Sequence, residues 1–280
     1  MAVVLDAEGL SGAQMQSIAT EFNYAETTFV LPPRDPAHTA QVRIFTARVE
    51  IPFAGHPNVG TAVVLARELE TAGRSPVDRF VFEEGAGPVS VRLIRSAGSV
   101  VAAELTAPKP LSIGATASVQ DAAASLSLSS ADICTAAHSP QVLSVGLPFL
   151  VIEVVSRDAL RRARPNVLVH ERILPSMGTD AVFAYVHGAR SGDLHARVFA
   201  PLDGSPEDPA TGSANAAAIA QLTQLRPEAD CELAWRIEQG VDMGRPSLLI
   251  GRTEKRGGQV TAVRIAGNAM PVMQGVLQID

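Results

Sequence analysis

"RIFTARVEIPFAGHPNVGTAVVLARELE", residues 43–70, has a second copy later in the chain, "RVFAPLDGSPEDPATGSANAAAIAQL", residues 197–222. The shared pattern is Arg-(Ile/Val)-Phe, a short variable segment, then (His/Asp)-Pro-x-x-Gly-(Thr/Ser)-Ala and an apolar run. A third landmark follows each copy: "EEGAGPVS" from Glu83 and the longer "EQGVDMGRPS" from Glu238. Arg43 and Arg197 are 154 positions apart, His56 and Asp208 152, and Glu83 and Glu238 155. Landmarks recurring in one order at nearly one spacing define an internal repeat.

Each copy reads as strand, loop, helix, strand. "VRIFT" and "ARVFA" have the β-branched and aromatic content of strands. Pro57 and Pro209 suit the first helical position, where a missing N–H costs nothing. "TAVVLARELE" and "SANAAAIAQL" are apolar around most of the circumference, and a helix without a polar face must be surrounded by protein. "FVFEEGAGPVSVRLI" and "GRPSLLIGRT" alternate and carry Gly/Pro turns, as antiparallel strands do. The fold class expected is α+β: two pseudo-symmetric domains, each a curved, mainly antiparallel sheet around a central helix.

Residues 1–112 are assigned to the first repeat domain and 113–266 to the second. The strand-like 267–280 returns to one of them, with the first as the assigned partner. The Ala/Ser-rich stretch Leu111–Ser139 separates the copies and holds one modest helix near Val119–Leu126. "RDALRRARP" reads as a solvated helix ending at its proline. Unit two opens with "SPQVLSVGLPFLVIEVV", but unit one with only "MAVVLD". Roughly 15 residues of a first strand are expected to be missing, either because the edge strand is lacking or because the start lies upstream, and a bared neighbouring strand is an aggregation liability.

Composition narrows the partners. The chain has 280 residues, is 46% hydrophobic and carries a formal charge of −6, with 23 basic residues dispersed along it. No polybasic patch is present, which argues against nucleic acid and anionic membrane and for a small diffusing substrate. The longest apolar stretch, Val142–Val155, is broken by Gly146, Pro148 and Glu153, too short and interrupted to span a bilayer. The amino terminus lacks the basic region of a signal peptide, so a cytoplasmic location is expected. Cys134 and Cys231 have no close spacing, which argues against a zinc site or disulfide framework and for buried thiols. Nucleotide, P-loop, zincin and nucleophile-elbow motifs are lacking.

The two helix starts are the sharpest chemical feature. Free N–H groups of a first turn, with the helix dipole, form a site for an anion such as a substrate carboxylate. Gly60 and Gly212 would let a ligand approach, and Thr61 and Ser213 add hydroxyls. Asp208 taken alone is an ordinary cap ahead of Pro209, and His56 taken alone is equally a structural histidine. Their paired placement at one inferred cleft favours function and suits proton transfer at carbon. In "SGAQMQSIATEFNYAETTFVLPP", Ser11 and Gln14 form a capping-box pattern, Asn23 is a helix stop, and Glu26 opens a strand. Glu26, Thr28 and Val30 share a face, from which Glu26 could act as a general base, although such glutamates are mostly solvated.

Together "MQSIATEFNYAETTFVLPP", "RIFTARVEIPFAGHPNVGTA", "EEGAGPV", "EDPATGSA" and "QGVDMGRPS" resemble the phenazine-biosynthesis PhzF-like isomerase family, in the diaminopimelate epimerase fold group. The resemblance covers nearly the whole chain. It implies an active site between two pseudo-symmetric domains, no cofactor or metal, a small carboxylate-bearing substrate and a homodimer. Carried over by position, the family's catalytic glutamate falls on Glu26, its assisting histidine and aspartate on His56 and Asp208, and its carboxylate-binding groups around Gly55, Gly60, Gly212 and Ser213. The family's best-known reaction moves a proton between ring carbons of a dihydro-hydroxyanthranilate. Related epimerases use two cysteines at the paired helix starts, and neither Cys134 nor Cys231 lies there. The opening strand and its usual "GNP" turn are absent. The implied activity is a cofactor-independent isomerase. A non-catalytic metabolite-binding or dimeric interaction protein, and an epimerase or racemase of an amino-acid-like substrate, are the alternatives.

Overall fold

A computed structural model of the protein describes residues 1–74, 77–190 and 192–279. Six α-helices occur among them: α1 (Gly12–Phe22), α2 (Gly55–Thr71), α3 (Val119–Ser125), α4 (Arg157–Arg162), α5 (Val167–Met177) and α6 (Gly212–Gln224). Local chemistry sets several ends. Ser11 and Gln14 close the expected capping box on α1, and Asn23 stops that helix in the left-handed region at φ 50°. Ser118 and Ser156 cap α3 and α4. The sequence reading did not anticipate α5, which follows Pro165 and contains Pro175 in its last turn; Asn166 caps its start and Gly178, at φ 73°, ends it.

The repeat survives in the strand topology. In the first half Ala2–Val4 runs parallel to Thr27–Leu31, which is antiparallel to Ala40–Phe45. That strand is parallel to Arg79–Glu84, and Gly87–Ser96 and Ser99–Thr106 continue antiparallel. In the second half Pro148–Val154, Val182–His187, Asp193–Ala200, Cys231–Gln239, Ser247–Arg256 and Gln259–Asn268 follow the same succession of senses. The last strand of each half pairs with the other, Ala266 opposite Glu104, so one curved sheet passes through both. Gln141–Ser144 adds an antiparallel strand beside Pro148–Val154. Among the described residues Ala2–Val4 pairs with Thr27–Leu31.

Each half wraps its sheet around one helix. Of the 13 residues of α6, 12 are buried, among Phe183, Trp235, Ile237, Leu249 and Ile265. Its run of alanines lets the sheet come close: a Cβ on Gly251 would stand 2.5 Å from Ile219 Cδ1. Around α2 lie Phe80, Phe82, Val91 and Ala103. Each fully buried Ile, Leu or Phe contributes roughly 1.5–3 kcal/mol relative to exposure, so the rigid parts of the molecule are the two helices whose amino termini were singled out. On the outer face of the second sheet, α3, α4 and α5 cover a further apolar layer, and α1 covers Phe29 and Phe45.

Two expectations are corrected. Residues after Asn268 join no strand, and Met270, Val272, Met273 and Val276 are exposed; Asp280 lies outside the described residues. Cys134 and Cys231 are half-buried rather than buried, because each sits at the end of a strand. No helix among the described residues is long and apolar enough to cross a membrane.

Candidate active site

The repeated arginines build the framework. Arg43 Nε and Nη2 each donate to the Glu50 carboxylate at 2.7 Å, with the guanidinium over the Phe45 ring. Arg197 repeats the clamp on Glu207 at 2.8 and 2.7 Å over Phe199, and its Nη1 donates to the carbonyls of Leu160 and Ala163. In both halves this fork ties the strand to the return segment that leads into the central helix. The Arg-(Ile/Val)-Phe pattern is therefore a positioning device, which the sequence reading used as a landmark without assigning it a role.

Helix α2 begins at Gly55 and α6 at Gly212. These starts are 157 positions apart, not 152, so the pairing of His56 with Asp208 inferred from the shared His/Asp-Pro step does not hold in space. His56, second in α2, corresponds to Ser213, second in α6. Asp208 lies opposite Val198 as Ile51 lies opposite Ile44, so its counterpart is Ile51. Pro57 is the third helical residue and Pro209 precedes α6, so neither takes the first position. Asp208 is no cap either: Thr211 holds that place. A signal for the true register is present in "AGHPN" and "TGSAN": Asn58 and Asn215 each donate Nδ2 to the carbonyl four residues back, Ala54 and Thr211, at 2.9 Å.

The two helix starts touch. A Cβ on Gly55 would come within 3.2 Å of Gly212 Cα and 3.5 Å of the Ser213 nitrogen, a tight approach to backbone that a side chain would have to push apart. Ala54 and Thr211 make no side-chain cap hydrogen bond. Among the described residues no hydrogen bond outside the helices is made by the first-turn N–H groups of Gly55, His56, Gly212 and Ser213, so this pair of helix starts can receive an anion. Gly60 is different. It lies in the second turn of α2, where its N–H belongs to the helical ladder, and it faces Met1, whose Sδ an added Cβ would meet. Thr61 is likewise withdrawn, its hydroxyl 2.8 Å from that of Thr28.

That Thr28–Thr61 contact shows which face of the Thr27–Leu31 strand meets α2. Glu26, two residues earlier on the same face, is thereby aimed at the start of α2. Its Oε2 lies 2.7 Å from His56 Nε2, an ion-pair contact whose alignment falls short of a hydrogen bond. Burial opposes charge on His56, but Glu26 beside it and Asp208 nearby outweigh this and hold the imidazole pKa at about 9. The ring is therefore an imidazolium at neutral pH. Asp208 is buried, with Oδ2 accepting from the Thr211 hydroxyl and Oδ1 without a hydrogen-bond partner among the described residues. Burial pushes its carboxyl up, against the pull of His56 and with the push of Glu26. Gln239 holds the loop, donating Nε2 to the Asp208 carbonyl at 2.7 Å and to Thr211 Oγ1 at 2.9 Å. Glu26, His56 and Asp208 thus form one electrostatic unit beside the paired helix starts. A largely apolar groove of about 1860 Å³ also reaches Gly55, His56, Gly212 and Ser213; Glu26 and Asp208 do not line it.

A pseudo-symmetric pair of sheets around helices whose starts meet beside acid and base groups is the diaminopimelate epimerase-like fold. The chain belongs to the phenazine biosynthesis-like protein family, whose model matches residues 1–275. It is 37% identical over 284 residues to an uncharacterised isomerase of Mesorhizobium japonicum, covering 100% of this chain and 93% of that one. It is 36% identical over 279 residues to the trans-2,3-dihydro-3-hydroxyanthranilate isomerase of Pseudomonas chlororaphis, covering 98% and 92%. The crystal structure of a PhzF-family phenazine biosynthesis protein from Bacillus anthracis superposes with a TM-score of 0.81 at 24% identity, covering 95% of this chain and 89% of that one. The protein is an enzyme of the isomerase class.

Proposed function

We propose that the enzyme shifts a proton between carbons of a small carboxylate-bearing substrate without a cofactor, with Glu26 as the acid and base. The observation that carries this reading is the 2.7 Å contact of Glu26 Oε2 with His56 Nε2, beside two abutting helix amino termini without side-chain caps. The free N–H groups around Gly55, Gly212 and Ser213 bind the substrate carboxylate. Glu26 takes a proton from one carbon, leaving the electron pair to delocalise toward the carboxylate, and returns the proton at another carbon. The His56 imidazolium and the helix dipoles offset the negative charge that develops, and the raised carboxyl of Asp208 lies within electrostatic reach to polarise the substrate or relay a proton. A positioned acid or base contributes about 10²- to 10⁴-fold to such a step.

Glu26→Gln is the decisive variant. The wild-type enzyme, incubated in D₂O with trans-2,3-dihydro-3-hydroxyanthranilate and a panel of small cyclic amino- and hydroxy-carboxylates, is expected to incorporate deuterium into its substrate. The variant is expected to lose incorporation while keeping the ligand-induced rise in Tm. Unchanged incorporation in Glu26→Gln overturns the role of Glu26. Incorporation with inversion of one stereocentre and no shifted double bond identifies an epimerase instead.

A further inference from the structure

Two turns, one from each half, meet beside the acids of the site. In the first half Thr27 lies opposite Phe45, so Glu26 stands at the start of the turn Thr46–Val49. In the second, Ala200 lies opposite Ser205 and Val198 opposite Asp208, so the turn Pro201–Gly204 leads into the strand that ends at Asp208. The turns touch through one side chain. Arg48 of the first crosses to Gly204 of the second, where an added Cβ would stand 2.7 Å from Arg48 Nε, 3.0 Å from Cζ and 3.2 Å from Cδ. Gly204, at φ 89°, presents no side chain, and the stem and guanidinium of Arg48 occupy that space.

The turn that presents Arg48 is held from two sides. The Thr46 N–H donates to the Val49 carbonyl at 2.8 Å, and Thr46 Oγ1 accepts from the Arg48 and Val49 N–H groups at 3.2 and 3.0 Å. From α1, Gln16 Nε2 donates to the Thr46 carbonyl at 3.1 Å and the Thr20 hydroxyl to the Ala47 carbonyl at 2.8 Å. Helix α1 is thereby tied to the placement of this one cation.

Arg48 also differs from the arginines near it. Arg43, Arg197 and Arg157 each grip a carboxylate with two nitrogens. The Arg48 guanidinium makes no hydrogen bond and no ion pair within 4.0 Å among the described residues, although Asp203 adjoins Gly204. Partial desolvation and the neighbouring Asp180 push the Asp203 carboxyl up, Arg48 pulls against them, and Glu26 adds to the push, so all four groups share one neighbourhood. A planar set of N–H donors thus stays unspent at the rim of the cleft, in the fork geometry that matches carboxylate oxygens.

We propose that Arg48 is a specificity-determining residue whose guanidinium takes a second carboxylate of the substrate, at the end remote from the paired helix starts. The substrate class is then a compact dicarboxylate. The assignment rests on the reading that the first carboxylate sits at those helix starts.

Isothermal titration with benzoate, isophthalate and terephthalate separates the two anchors. Wild type should bind at least one of the dicarboxylates about tenfold or more tightly than benzoate, the scale of a charge-assisted pair. Arg48→Ala should lose that preference while binding benzoate as wild type does. Arg48→Lys should keep only part of it, with a point charge in place of the fork. Asp203→Asn removes a competing negative charge and should strengthen dicarboxylate binding alone; if Arg48 serves only to tie the turns together, Asp203→Asn and Arg48→Ala weaken all three ligands equally. That result, equal affinities of wild type for the three probes, or binding of none of them, overturns the proposal. Deuterium incorporation that survives in Glu26→Gln would sink the acid and base role of Glu26 and leave this assignment standing, because the preference is read from binding alone.

Discussion

At His56 burial and charge oppose one another, and the sign of the balance is testable. Its pKa in the folded protein is raised to about 9 from 6.5, so the pairing with Glu26 stabilises the fold fully below the unfolded pKa and is lost as pH rises through the folded one. The difference corresponds to at most about 3 kcal/mol, acting between about pH 6.5 and 9. The urea-unfolding free energy of wild type is therefore expected to fall across that window by more than that of His56→Gln, and parallel curves would remove the ion pair as a stabiliser. His56 and Asp208 were legible in the sequence because titratable residues recur at equivalent-looking places. Glu26 was not, since a glutamate opening a strand is ordinarily solvated. What distinguishes Glu26 is the Thr28–Thr61 contact two residues on, a three-dimensional fact with no local signature. The resemblance to a family, rather than any spacing, brought Glu26 forward.

Among the elements, strands and central helices were legible from alternation and apolar runs, but the helix register was not. The shared His/Asp-Pro step pointed to helix starts at His56 and Asp208, whereas the starts are Gly55 and Gly212, where two backbones must touch. Sequence similarity follows residue type, while that contact selects for the absence of a side chain. Gly55→Ala places its Cβ against the backbone of Gly212 and is expected to cost about 1–3 kcal/mol and to displace the free amides, with loss of deuterium exchange. Gly60→Ala meets only the end of Met1 and exchanges a helix-interior glycine for alanine, a gain of up to about 1 kcal/mol. Equal losses in the two variants would refute the register. The arginine clamps differ in burial, with Arg197 at 4% side-chain exposure and Arg43 at 28%. Arg197→Ala leaves Glu207 without its fork in a buried setting and is expected to cost about 3–5 kcal/mol, against about 1 kcal/mol or less for Arg43→Ala, whose pair is far more solvated. Chemical denaturation of both variants measures the difference.

For the whole molecule, the site exists only because the halves are held in fixed relation: Glu26 and His56 come from one, Asp208 and Ser213 from the other. The connection is backbone pairing of Ser99–Thr106 with Gln259–Asn268, reinforced at the helix starts by the Gly55–Gly212 contact. Such a junction couples unfolding, since neither half can lose its last strand without baring an edge of the other. The single tryptophan, Trp235, is buried in the second half with its indole N–H donating to Thr253 Oγ1. Its fluorescence therefore follows that half alone, and hydrogen exchange of the amides from Phe80 to Val91 follows the first. In the wild type both probes are expected to report one urea midpoint. Gly267→Pro removes a donor from the ladder between the halves, where a proline is tolerated only at edges or bulges. It is expected to lower stability by about 3 kcal/mol or more and to split the transition in two. Two separate midpoints in the wild type would instead mean that the halves fold independently and that the cleft is assembled by docking.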